Sequence, residues 1–149
     1  MYANILLSTD GSDVARKGIK NGIALAKALG ARATVITVSE PLPGAVGAGT
    51  AAWVPSQQEI DRYDAANRER AGKLFDEARA IAEQAGITPE LLHVSHVHPA
   101  TAILETAKSR GCDLIVMGSH GRRGLSKLFV GSQTSAVLAD GSVPVLVVH

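Results

Sequence analysis

Five short runs rich in Val, Ile and Leu recur along the chain, separated by segments of helical period. This alternation constrains the fold more than any other feature. The runs are "NILLS" (Asn4–Ser8), "ATVITV" (Ala33–Val38), "LLHVSHV" (Leu91–Val97), "DLIVM" (Asp113–Met117) and "VPVLVV" (Val143–Val148). All but the third are nearly continuous in branched aliphatics, as in strands covered on both faces. Between the first two, Ser12 to Leu29 sets Ala15, Ile19, Ile23, Ala26 and Leu29 on one side and stops at Gly30. Gly18 and Gly22 inside that segment cost roughly 1 kcal/mol each against Ala, so close backbone packing is expected there. "PSQQEI" offers a capping box, Ser56 with Glu59, after which Ile60, Tyr63, Leu74, Ala78, Ile81 and Ala85 recur until Gly86. A third helix is expected from Pro99, with Ala102, Ile103 and Ala107 inward, to Gly111. A fourth starts near Ser132, buries Val137 and Leu138, and ends at Gly141. The order β-α-β-α-β-α-β-α-β predicts a single α/β domain, residues 1–149. Its sheet is five-stranded and parallel, with right-handed crossovers placing helices on both faces.

The segment Ser39 to Pro55, rich in Gly, Ala and Pro, reads as a loop or lid. Trp53 within it either covers a ligand or anchors the loop to the core. At 149 residues the chain can bury a full core. Its net charge is +1 with basic and acidic residues interleaved, so no broad field favours nucleic acid. Cys112 is the one cysteine, which excludes an intramolecular disulfide and suits a reducing compartment. It is expected to be a small, semi-buried thiol. The N-terminus has no basic n-region, and no run approaches the roughly eighteen apolar residues of a membrane helix. A cytoplasmic location is the expectation.

Sheets of this kind bind ligands beyond the carboxyl ends of their strands, where strand order reverses. Met117 is the expected last residue of the fourth strand, so "GSHGRRGLSKLFVGS" leaves from that edge. Gly118 and Gly121 allow backbone N–H groups to approach an anion and adopt positive φ at little cost. Gly131 and Ser132 open the last helix, whose positive end favours phosphate, and Arg122, Arg123 and Lys127 lie between. The segment suits a polyphosphate cradle. The same residues also suit ordinary turns, an N-cap at Ser132 and a solvated basic face. No GxGxxG or GxxxxGK[ST] occurs, which argues against a dinucleotide dehydrogenase and a P-loop NTPase.

"GSHGRRGLSKLFVGS" resembles the ATP-binding signature of the universal stress protein family: Gly, two residues, Gly, nine residues, then Gly-Ser or Gly-Thr. "ILLSTDGS", "DLIVMGSHG" and "VPVLVV" resemble that family's opening, fourth and closing strands, in order. The resemblance covers the chain apart from 39–55. It implies a Rossmann-like domain of the adenine nucleotide alpha hydrolase-like kind that binds ATP in response to stress. By position, Asp10 flanked by Thr9 would lie near ribose and adenine, although Asp10 also suits a turn before Gly11. The Val38 backbone would meet adenine. Met117 and Gly118 would border the ribose. Gly121, Gly131, Ser132 and the Gln133 N–H would hold phosphates, with His120 and Arg122 in reach and Mg or Mn completed by phosphate oxygens. One departure stands out. Family members often carry Gly two residues before the Pro that starts the third helix, and here Val97 occupies that position.

His96 and His98 alternate onto one face of the expected third strand and invite a metal reading, but no Cys or carboxylate follows at ligand spacing. No nucleophile-base-orienter set or GxSxG elbow occurs, so an enzyme on this loop would hydrolyse ATP slowly at most. The "STDGS" turn also departs from the SGGxDS-type turn of ATP-pyrophosphatase relatives. The closing strand, 143–148, would expose an apolar edge ribbon that its own copy could cover. The resemblance implies a homodimer formed that way. A module of the same fold that acts through protein contacts, without nucleotide, is the other function class.

Overall fold

The computed structural model describes residues 1–42, 54–119 and 130–149. Its elements follow the alternating order: β1 (Asn4–Ser8), α1 (Asp13–Leu29), β2 (Arg32–Ser39), α2 (Gln57–Ala85), β3 (Glu90–Ser95), α3 (Pro99–Ser109), β4 (Leu114–Gly118), α4 (Ser132–Asp140) and β5 (Val145–Val148). The strands form one parallel sheet of order β3-β2-β1-β4-β5. The order reverses between β1 and β4, which makes that seam the switch point.

Two apolar layers explain why the strand runs are continuous. On one face, Ile5, Leu7, Val35, Leu114 and Val116 pack against Ile19, Ile23 and Ala26 of α1 and Ala78 and Ala82 of α2. On the other, Leu6, Ile36, Ile115 and Met117 meet Ala100, Ile103 and Ala107 of α3 and Val137 of α4. Successive strand side chains point to opposite faces, so a strand that feeds both cores must be apolar at every position.

Local signals set most boundaries. Ser12 caps α1 by accepting from the Ala15 N–H at 3.1 Å, and Gly30 closes the helix in the left-handed region. The reciprocal capping box at Ser56 and Glu59 is formed, and Gly86 ends α2 at φ 73°. The Ser56 backbone N–H and then its hydroxyl, both donating to the Glu59 carboxylate, hold that carboxyl below the usual carboxylate range. Gly22 must lack a Cβ, because one built there would lie 2.2 Å from Leu7 Cδ2.

Four expectations are corrected. β3 stops at Ser95, two residues early, because His96 turns into the left-handed region at φ 60°. His96 and His98 therefore share no strand face. β5 begins at Val145, since Pro144 has no N–H for the ladder and contributes only its carbonyl, to Ile115 N–H. α3 ends at Ser109 with Arg110 as its C-cap, and Gly111 follows at φ 61°. Leu138 is exposed, because α4 covers the margin of the sheet and only Val137 reaches the core.

Candidate functional site

In a parallel sheet every strand ends at the same edge, and the helices that follow start there. The starts of α1, α2, α3 and α4 thus lie at the C-terminal edge, each with N–H groups that have no helical partner. α1 and α2 are capped by Ser12 and Ser56. His98, the N-cap residue of α3, makes no capping bond with its side chain. Gln133 of α4 supplies one instead, its Oε1 accepting from the Ala100 N–H at 2.9 Å. No described side chain caps α4.

The start of α4 is docked on the end of β4. Gly131 N–H donates to the Ser119 carbonyl at 2.6 Å, Thr134 Oγ1 donates to the Gly118 carbonyl at 2.8 Å, and Ser119 N–H donates to Val148. Gly118 and Gly131, distant in sequence, are thereby brought together at the switch point. The Gly131 N–H is spent on this contact, and the N–H groups of Ser132 and Gln133 follow it in the first turn. Ser132 itself is exposed. Gly131 sits at φ −59°, ψ 154°, a conformation open to any residue. His120, Gly121 and Arg122, with Arg123, Lys127 and Trp53, lie outside the described residues.

Gly118 serves a purpose the sequence did not suggest. It is not among the residues at positive φ, and a Cβ there would lie 2.9 Å from Val14 Cγ1 and 3.2 Å from the Ala15 nitrogen. The missing side chain lets α1 settle on the end of β4. Met117 beside it is buried in the second core.

After β1, Thr9 and Asp10 build the turn into α1. Thr9 N–H donates to the Ile36 carbonyl at 3.0 Å, and Thr9 Oγ1 accepts from Gly11 at 3.2 Å. Asp10 Oδ1 accepts from the Ser12 N–H at 2.9 Å, with Gly11 at φ 82°. The turn role foreseen for Asp10 is therefore formed, and it fixes the carboxylate at the mouth of the seam.

Val38 occupies an unusual place in the ladder. β1 pairs with β2 only as far as Ile36, whereas β3 continues to Ser39. Backbone groups alternate sides along a strand, so Ile36, which accepts from Thr9, and Val38 both face the β1 side. β1 has already turned away there, so that among the described residues no strand pairs with the Val38 N–H and C=O on that side. A parallel donor and acceptor of this kind matches the edge of an adenine ring.

α2 spans 29 residues, about 43 Å, and its buried residues, Ala71, Leu74, Ala78 and Ala82, fall in its second half. Its first half projects past the sheet edge and ties down three loops. Tyr63 Oη donates to the Glu40 carbonyl at 2.8 Å, His96 Nε2 meets Asp64 Oδ1 at 2.9 Å, and Arg70 donates to the Asp10 carbonyl at 2.8 Å. Below them His93 is hydrogen-bonded to Ser39 Oγ at 2.8 Å. Burial, reinforced by Arg68 and Arg70, holds the His93 imidazole below its ordinary pKa and so favours the neutral ring. Sequence reasoning missed Tyr63 in this role, and missed Asp64 and Arg70 altogether. Their signal was positional: 63, 67 and 70 extend the apolar stripe of 71, 74 and 78.

The opposite edge carries a concavity of about 440 Å³, lined by Asn4, Ala31, Arg32, Ala33, Thr34, Ile87, Thr88, Glu90 and Arg110. Helix carboxyl ends face it, and Arg110 is ion-paired with Glu90. Anion binding is disfavoured at such ends.

The strand order and its switch point between β1 and β4 define a doubly wound parallel α/β fold. The model of the universal stress protein family matches residues 1–149. The chain belongs to that family. It is 37% identical over 149 residues to a universal stress protein of Thermus aquaticus, covering 100% of both chains. Its fold is similar to that of UspA from Lactobacillus plantarum, with a TM-score of 0.80, 24% identity and coverage of 99% and 98% of the two chains. A universal stress protein crystallised in complex with cAMP is also similar: TM-score 0.72, 24% identity, coverage 99% and 97%.

Proposed function

We propose that this universal stress protein binds ATP along the C-terminal edge, and that its stress response depends on the bound nucleotide. The observation that carries this reading is the docking of the uncapped α4 start on β4, in line with the open backbone of Val38. Triphosphate oxygens meet the first-turn N–H groups of Ser132 and Gln133, where the helix dipole is favourable. The sugar lies against Asp10, Met117 and Gly118, and adenine reaches Val38. Gly121, His120 and Arg122 complete the phosphate side by position in the sequence.

The described residues contain no group of three metal-ligating side chains. A Mg or Mn ion would arrive with the phosphates and be completed by their oxygens and water. β5 is an edge strand with Leu146 exposed, which supports a homodimer paired through 143–148. A mass by light scattering that stays monomeric at every concentration would exclude it.

The direct test is thermal unfolding with and without Mg-ATP, together with chromatography of any nucleotide released from purified protein. Wild type is expected to gain stability with ATP in a concentration-dependent way. Because the backbone at Gly131 accepts any residue, Gly131→Val should keep the apo fold and lose the ATP shift. Equal shifts in wild type and variant would overturn the site.

A further inference from the structure

We propose that Asn67 reads the base of the bound nucleotide, its side-chain amide donating to the N7 acceptor of an adenine ring held at Val38. The inference rests on the nucleotide reading above and adds a residue from α2 to it.

The starting observation is energetic. Asn67 Nδ2 is sealed from solvent and has no hydrogen-bond partner, the only such side-chain atom among the described residues. A buried donor without a partner costs about 1–3 kcal/mol, and native proteins rarely keep one without a use. An alanine or leucine at 67 would avoid that cost and extend the apolar stripe of α2 without interruption.

Position supplies the second step. α2 runs from the C-terminal edge back along the sheet, antiparallel to β2. Tyr63 fixes the register by its bond to Glu40. Four residues further along the helix is about 6 Å, and two residues back along β2 is about 6.6 Å. Asn67 is therefore level with Val38. Its neighbours confirm the facing: Asp64, one turn before, reaches His96 beyond β3, and Arg70, one turn after, reaches Asp10 beyond β1. Asn67 stands between these contacts, over the end of β2.

Geometry of the ligand supplies the third. From the α4 start beside β4, across β1, to β2 is two strand spacings, about 10 Å. A nucleotide whose phosphates lie at α4 and whose sugar lies at Asp10 brings its base to β2. There the Val38 backbone can pair with one edge of adenine, accepting from the 6-amino group and donating to N1. The neighbouring edge, N7 with the second amino hydrogen, calls for a group that both donates and accepts. A carboxamide is the side chain that does both, and asparagine pairs with this edge of adenine elsewhere. Guanine carries an oxygen where adenine carries the amino group, so the same arrangement disfavours it.

The test is a double-substitution cycle on the full-length chain, varying residue and ligand. Dissociation constants of ATP, 7-deaza-ATP and GTP are measured for wild type, Asn67→Ala and Asn67→Leu, with apo stability from urea unfolding. Wild type should bind 7-deaza-ATP about five- to tenfold more weakly than ATP, the worth of one neutral hydrogen bond. Both variants should lose that difference, bind ATP as weakly as wild type binds the deaza analogue, and discriminate less against GTP. Asn67→Leu should be at least as stable as wild type without ligand. If the deaza penalty persists undiminished in the variants, Asn67 does not touch N7 and the inference is overturned while the nucleotide site stands. If wild type binds none of the three, the nucleotide reading falls and takes this inference with it. A large apo destabilisation in Asn67→Leu, with the deaza penalty intact, would assign Asn67 to structure.

Discussion

The two ends of the sheet use polar groups in opposite ways. At the N-terminal edge they are spent on one another. Asp113 accepts from the Ala3 and Asn4 N–H groups at 2.8 and 3.0 Å, and those donors hold its carboxyl below the ordinary range. Asn4 Nδ2 donates in turn to the Arg110 carbonyl at 2.8 Å. At the C-terminal edge, among the described residues, no side chain caps the first turn of α4, no strand pairs with Val38 on the β1 side, and the Asn67 amide has no partner. The same chain that closes one end carefully leaves the other open, and the open end faces helix starts. Polar satisfaction is thus a guide to where a fold reserves room for a ligand.

That contrast can be broken from either side. The largest effect is expected from Gly118→Val, which lies at the open end yet fills the space needed by Val14 and Ala15. It should cost about 3 kcal/mol of apo stability in urea unfolding, as overpacking does. No loss would mean α1 is not seated there as described. Asp113→Ala at the closed end should cost about 1.5 kcal/mol, because a buried Asn4 N–H loses its acceptor, while ATP affinity is unchanged. A change in affinity would join the two ends that the structure separates.

Ser132→Ala should do the reverse: in the proposed site its hydroxyl adds a hydrogen bond to phosphate beside the N–H that alanine keeps, so ATP should weaken about three- to tenfold while apo stability holds. Calorimetric titration beside urea unfolding checks both halves. The smallest effect concerns pH. The native fold favours neutral His93, so the unfolded chain takes up its proton first as pH falls from 7 towards 5. The stabilisation is present above the ordinary histidine pKa and is lost on acidification. His93→Gln, which can still bond to Ser39, should lose less stability over that interval.

Much of the architecture was legible because it rests on local rules. Ser12, Gly30, Ser56, Glu59 and Gly86 mark helix ends by capping chemistry that needs no distant partner. β1, β2 and β4, buried on both faces, announced themselves through unbroken aliphatic runs, whereas the equally aliphatic closing run, also read as doubly covered, forms the edge strand β5 with Leu146 exposed. What escaped reading depends on tertiary proximity. Nothing local makes His96 adopt φ 60°; its N–H bond to the Ser39 carbonyl and its ring contact with Asp64 accompany that turn. Gln133 caps a helix from another helix, and Gly118 is a glycine on account of α1, contacts that span many residues. Of the site, the strand ends and the glycine spacing were readable, whereas the contribution of α2 was not. A polar residue in line with the apolar stripe of α2 marks an inward position, but the sequence does not say which loop lies opposite.

The projecting half of α2 has one more consequence. A single stiff rod grips the residues that follow β1, β2 and β3 through Arg70, Tyr63 and His96's partner Asp64. The spacing between the ends of β1, β2 and β3 is then graduated by helical rise, not by how much chain joins strand to helix. Insertions or deletions between 40 and 56 can accumulate without altering the reach of the pocket, because the measuring stick lies elsewhere.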